Sequence, residues 1–184
     1  MNLVHRRYCR SAWWDRHLAQ LLPWATNDVP LTGARVLELG SGPGRTTDWL
    51  AARVGQLTAL EYDATDARAL AGRRRDVEVV HGDATAMPFP DGNFDVVVCF
   101  TMLHHIRTST GQDRLFAEAR RVLRPEGVFA GSDSRWGPLF ALAHLGDTLT
   151  LVDPATLPAR LGAAGFADAG CQVAGRAFRF RAHT

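Results

Sequence analysis

Val36-Leu37-Glu38-Leu39-Gly40-Ser41-Gly42-Pro43-Gly44 is the stretch that decides the fold of this chain. The compact apolar run at 35–39 reads as a buried strand. The glycines beyond it read as a strand-to-helix turn whose backbone can approach a ligand closely. Residues 46–54 follow with Trp49, Leu50 and Val54 at helical spacing, closed by Gly55. Several nucleotide-binding architectures share such a turn, and its details separate them. A dinucleotide fingerprint of the form G-x-G-x-x-G needs Gly or Ala at position 45, where this chain has Arg45. A phosphate-binding P-loop needs a lysine, and the chain has none. Glu38, just before the first glycine, is awkward beside a pyrophosphate and suits a cationic ligand.

Outward from this turn, helices and strands alternate. Residues 57–60 and 77–80 read as short strands around an alanine-rich helix at 64–72. Residues 94–100 form the most apolar strand, and their lack of alternation implies burial on both faces of a parallel sheet. A helix is expected at 112–123, a fifth strand at 128–131, and a helix at 155–164 ended by Gly165. Strands at 169–173 and 177–181 then form a hairpin around Ala174-Gly175-Arg176. Residues 4–22 have the spacing of one or two amphipathic helices, broken by Pro23. The expected fold class is α/β, a doubly wound, Rossmann-like seven-stranded sheet with a C-terminal antiparallel hairpin. It is one domain overall, with an N-terminal helical cap at 1–30 and a ligand-binding domain at 31–184. A ligand would sit outside the carboxyl ends of the strands at the topological switch point, where the glycine turn falls.

Composition narrows the class. Hydrophobic residues at 46% and charged residues at 22% are ordinary for a folded soluble domain of 184 residues. The apolar run at 96–103 is too short to span a bilayer, and Arg6, Arg7 and Arg10 leave no apolar signal segment near Met1. A cytoplasmic protein is therefore expected. Cys9, Cys99 and Cys171 are odd in number and widely spaced, which argues against a disulfide framework and a zinc site. The formal charge of +2 does not point to nucleic acid. Arg73-Arg74-Arg75 is the one dense basic run, read as a solvated turn between elements.

The segment 38–44 resembles motif I of class I S-adenosylmethionine-dependent methyltransferases, and further resemblances follow in order along the chain. Glu61, seventeen residues beyond Gly44, resembles the acid that holds the ribose hydroxyls, a position where the family usually has aspartate. Gly82-Asp83-Ala84 with Met87-Pro88-Phe89 resembles the adenine-recognising loop, although Asp83 can also start an Asx turn. Phe94-Asp95-Val96-Val97-Val98, Thr101-Met102-Leu103-His104-His105 and Leu123-Arg124-Pro125-Glu126-Gly127-Val128 resemble motif IV, its neighbour and the turn into strand five. The group most resembled contains the ubiquinone/menaquinone-type and other small-molecule enzymes, the type 11-like methyltransferases. The resemblance implies S-adenosyl-L-methionine as cofactor, with Glu38, Gly40, Ser41, Gly42, Gly44, Glu61, Tyr62, Asp83, Ala84, Phe100 and Thr101 as its binding residues.

A sulfonium methyl group is already activated, so such an enzyme mostly aligns a nucleophile and excludes water. His104 and His105, just past strand four, are the candidate proton acceptors, against a structural role for both. Asp133, after strand five, would orient substrate or cap a turn. Tyr8, Trp13 and Trp14 at one end, and Trp136, Phe140 and His144 at the other, supply surface for a small, hydrophobic acceptor, or simply core. The expected partner is that small-molecule substrate, with no membrane, no metal and no nucleic acid; the oligomeric state stays open. The competing readings are a non-catalytic protein or partner subunit that binds S-adenosylmethionine or S-adenosylhomocysteine, and an RNA or protein methyltransferase. A nicotinamide oxidoreductase ranks last because of Arg45.

Overall fold

The computed structural model describes residues 11–137, 140 and 146–184. Strands β1 (Arg35–Leu39), β2 (Gln56–Glu61), β3 (Glu78–His81), β4 (Phe94–Phe100) and β5 (Leu123–Ser134) alternate with helices and are followed by β6 (Ala167–Ala174) and β7 (Ala177–His183). The helices are α1 (Ala12–Ala25), α2 (Arg45–Ala51), α3 (Ala64–Arg73), α4 (Ser109–Val122) and α5 (Leu157–Ala163), with a 3-10 turn at Leu103–His105. The described strands form one sheet in the order β3-β2-β1-β4-β5-β7-β6. β1 to β5 run parallel, and β7 lies antiparallel between β5 and β6. The order reverses between β1 and β4, so the crevice at their carboxyl ends is the switch point. This is the doubly wound sheet with a terminal hairpin that the sequence implies.

Alternating side chains build a core on each face. Val36, Ala59, Val96, Val98 and Ala130 pack under α1, α2 and α3 through Leu18, Leu22, Leu50 and Leu70. Leu37, Leu39, Val97, Cys99 and Phe129 pack under α4 and α5 through Leu115, Phe116, Leu157 and Leu161. Glu38 therefore faces α2, and Asp133 shares the Phe129 face with the 3-10 turn.

Three expectations are corrected. Helix α1 runs through Pro23 to Ala25, because a proline in the last turn removes just one helical hydrogen bond and stays exposed. β5 does not stop at residue 131: Ser132, Asp133 and Ser134 continue it, held by register with Arg179, Phe178 and Ala177 of β7. Arg73 closes α3 and is not part of a free turn; Arg73 and Arg74 both pair with Asp48. Among the described residues, no helix is long and apolar enough to cross a membrane.

Candidate active site

Three strand-end loops share one backbone framework at the switch point. Gly40 N–H donates to Leu60 O at 2.8 Å, and Gly82 N–H donates to Glu61 O at 3.0 Å. The turn after β1, the end of β2 and the loop after β3 are thereby fixed together. Gly40 adopts φ +71°, and a Cβ there would lie 2.3 Å from Met102 Cγ. Only glycine satisfies both demands, so Met102, two residues past β4, packs directly over the turn after β1.

The acids of the turn are buried. Glu38 is 1% exposed and accepts hydrogen bonds from the Thr46 and Thr47 hydroxyls, the latter at 2.6 Å. Burial pushes its carboxyl up to about 7, against the pull of those hydroxyls, and the nearby Glu61 and Asp48 charges add to the rise. Glu61 is also buried and accepts from Gly42 N–H at 2.7 Å and Asp63 N–H at 2.8 Å. Burial raises it above the usual carboxylate range despite these two bonds. Each Glu61 oxygen keeps a second lone pair for a ligand hydroxyl. The buried Ser41 hydroxyl has no hydrogen-bond partner, and nothing lies within 4 Å of a Cβ built on Gly42. An orphaned hydroxyl, open space and two buried acids suit a ligand that carries both positive charge and hydroxyl groups.

Around this cradle, Tyr62 is exposed beside Glu61, and Ala84 is buried. Asp83 is exposed and accepts from Thr85 N–H at 2.8 Å, so its Asx turn is formed. The Phe100 side chain belongs to the core under α1 to α3, and its backbone ends β4 beside the turn. Thr101 turns the chain at φ +50° and donates its N–H to Ser132 O at 2.7 Å.

The second half of the site is built on the 3-10 turn. His104 and Asp133 are each 2% exposed, and His104 Nδ1 lies 2.5 Å from Asp133 Oδ1. Asp133 also accepts from His104 N–H at 3.1 Å and from Ser134 N–H at 2.6 Å. An ionised carboxylate only accepts, so it draws the proton to Nδ1 and leaves Nε2 as the basic nitrogen. The His105 ring lies 4.2 Å from that of His104, and the Phe140 ring meets it edge-on at 5.1 Å. Asp133 therefore orients a histidine and also caps the Ser134 N–H at the end of β5.

Residues that the sequence did not single out hold this turn. Gln112 on α4 is fully buried and donates to Leu103 O at 3.0 Å and Thr150 O at 2.8 Å, while Thr150 N–H donates to His104 O at 2.9 Å. Arg160 on α5 donates to Gln112 Oε1 at 3.0 Å. Trp13 is exposed on α1 and stacks with His17 at 5.6 Å; Trp136 is exposed just after β5. Tyr8 and His144 lie outside the described residues.

A family model described as a methyltransferase domain matches residues 37–131, from β1 through the middle of β5. The chain belongs to the methyltransferase-domain family. It is 37% identical over 104 residues to a demethylmenaquinone methyltransferase of Clavibacter sepedonicus, covering 54% of this chain and 40% of that protein. It is 35% identical over 126 residues to a fatty-acid O-methyltransferase of Mycolicibacterium smegmatis, covering 66% and 44%. The chain thus spans less than half the length of these curated relatives. A SAM-dependent methyltransferase from Aquifex aeolicus superposes with a TM-score of 0.78 at 18% identity, over 100% of this chain and 98% of that one, a likeness of fold. Family and fold imply S-adenosyl-L-methionine as the cofactor of this methyltransferase domain, and the cradle of Glu38, Ser41, Gly42 and Glu61 fits it. The matched segment holds that cradle together with His104, whereas Asp133 lies just past its end.

Proposed function

We propose that this methyltransferase domain transfers a methyl group from S-adenosyl-L-methionine to a small, hydrophobic acceptor. The observation that carries the catalytic half of the reading is the His104–Asp133 pair, beside a turn that Met102 ties to the cofactor cradle. When bound, the cofactor supplies an activated sulfonium methyl group. Glu61 accepts the ribose hydroxyls, Asp83 and the Ala84 backbone face the adenine, and Glu38 with Ser41 lines the charged end. Tyr62 and the backbone at Thr101 complete the binding surface. His104 takes the proton from a hydroxyl or amine acceptor at Nε2, and Asp133 stabilises the imidazolium that forms. His105, Trp13 and Trp136 border the acceptor, with α1 as part of an N-terminal cap over residues 1–30.

The similarity to a fatty-acid O-methyltransferase supports an apolar acceptor. The proposal keeps a cytoplasmic setting and no nucleic-acid partner. A second reading is a protein that binds the cofactor without catalysis, and the near-complete burial of His104 favours it.

The test is transfer of labelled methyl from S-adenosylmethionine to a panel of medium- and long-chain fatty acids, hydroxy fatty acids and alkylphenols. Transfer to one class, reduced by about 100-fold or more in His104→Ala with S-adenosylhomocysteine binding intact, supports the catalytic reading. Cofactor binding with no transfer to any member supports the second. Undiminished transfer in His104→Ala removes the histidine from the mechanism.

A further inference from the structure

The arginine run that the charge pattern assigns to solvent contains a residue aimed at the back of the cofactor turn. Arg73, at the end of α3, makes a two-pronged ion pair with Asp48 of α2, Nη1 lying 2.7 and 2.8 Å from the two carboxylate oxygens. This anchors the guanidinium at Nη1. Its other nitrogen, Nη2, then donates to Pro43 O at 3.3 Å and to Gly44 O at 3.4 Å. Both are long hydrogen bonds shared by one nitrogen, and they converge on the two carbonyls that close the glycine turn.

The local backbone needs such a brace. Gly42 and Gly44 have φ of +52° and +82°, and Gly44 caps α2 with no side chain of its own. Glycines in these conformations lose more freedom on ordering than any other residue. A Cβ on Gly44 would lie 2.4 Å from Arg73 Nη2 and 2.5 Å from Leu70 Cδ1, so the turn sits flush against α3. Opposite this packed side, Gly42 donates to Glu61 and borders open space. The turn is gripped from behind by a cation on its carbonyls and is open at Gly42.

We propose that Arg73 is a positioning residue for the cofactor: by holding the Pro43 and Gly44 carbonyls it keeps the glycine turn in its binding geometry before the ligand arrives. The benefit is preorganisation, so its loss weakens affinity without removing any ligand contact. Arg74 is the internal control. It shares Asp48 at 2.8 Å and pairs with Asp76 at 2.9 and 2.6 Å; its bonds run to these carboxylates and not to the turn.

The inference rests on the S-adenosylmethionine site proposed above. Calorimetric titration of S-adenosylhomocysteine into the wild type, Arg73→Ala, Arg73→Lys and Arg74→Ala tests both separately. Arg73→Ala is expected to bind about tenfold more weakly with a melting temperature within a few degrees of wild type. Arg73→Lys, which can still reach Asp48 and a carbonyl, recovers most of that loss. Arg74→Ala stays within about twofold of wild type. Wild-type affinity in Arg73→Ala overturns the inference and leaves the cofactor site standing. Equal losses in Arg73→Ala and Arg74→Ala also overturn it, since Asp48 pairing alone would then explain the effect. Absence of binding by the wild type overturns the site and the inference together.

Discussion

His104 Nδ1 and Asp133 Oδ1 lie 2.5 Å apart, both side chains almost completely buried, across 29 residues of sequence. The contact joins the turn after β4 to the last residues of β5. It gives the imidazole one orientation and one basic nitrogen.

Asp133→Asn tests that relationship. The amide keeps the size of the carboxylate but can turn its NH2 toward Nδ1, which moves the imidazole proton to Nε2 and removes the basic nitrogen. Turnover is expected to fall by about 100-fold or more, with affinity for S-adenosylhomocysteine within about twofold of wild type. A single-turnover assay alongside calorimetry separates the two. Unchanged turnover would leave the pair a structural tie.

Gln112→Leu tests the support beneath the pair. The substitution leaves the Leu103 and Thr150 carbonyls and one Arg160 donor without their amide partner in a buried region. A loss of about 2 to 4 kcal/mol in denaturant unfolding is expected. A loss under about 0.5 kcal/mol would show that water replaces the amide at no cost.

Glu38 makes stability depend on pH in a definite direction. Burial lifts its carboxyl from 4.5 to about 7. Between those values the folded protein holds a proton that the unfolded chain has released, so stability falls as pH rises through this window and levels off above it. The full shift corresponds to about 3 kcal/mol as an upper figure. Denaturant unfolding from pH 5 to pH 8 should show the decline, and Glu38→Gln should remove most of it. An identical slope in the variant contradicts the assignment.

Gly40→Ala tests how closely the two halves of the site pack. The added methyl meets Met102 Cγ and forces a non-glycine residue to φ +71°. Destabilisation of about 1 to 3 kcal/mol is expected, with weaker S-adenosylhomocysteine binding. A double variant with Met102→Ala should regain part of the packing loss and none of the backbone strain. Full recovery would place the whole cost in the side-chain clash.

The sheet and the cofactor turn were legible because each is local. The run at 35–39, the glycines after it and the unbroken apolar strand at 94–100 state their own conformations. The pairing of His104 with Asp133 was not legible. Ser132-Asp133-Ser134 is polar enough to read as loop, and its register against β7, with Ser132 also paired to β4, keeps it in the sheet. Gln112 gave no signal beyond its place at the start of an apolar stripe; its role comes from the carbonyls it meets. Arg73 is exposed, in keeping with its charge, but its pairing with Asp48 was not legible because that residue is 25 positions away on another helix. Pro23 misled for the opposite reason: a strong local rule applies weakly in the last turn of a helix.

The most direct measurement of the central claim is calorimetric titration of S-adenosylmethionine and S-adenosylhomocysteine into the wild-type protein and Glu61→Ala. One site per chain is expected in the wild type, with at least tenfold weaker binding in the variant, whose ribose acceptor is gone. Absence of binding by the folded wild type, or equal affinity in Glu61→Ala, would contradict that claim.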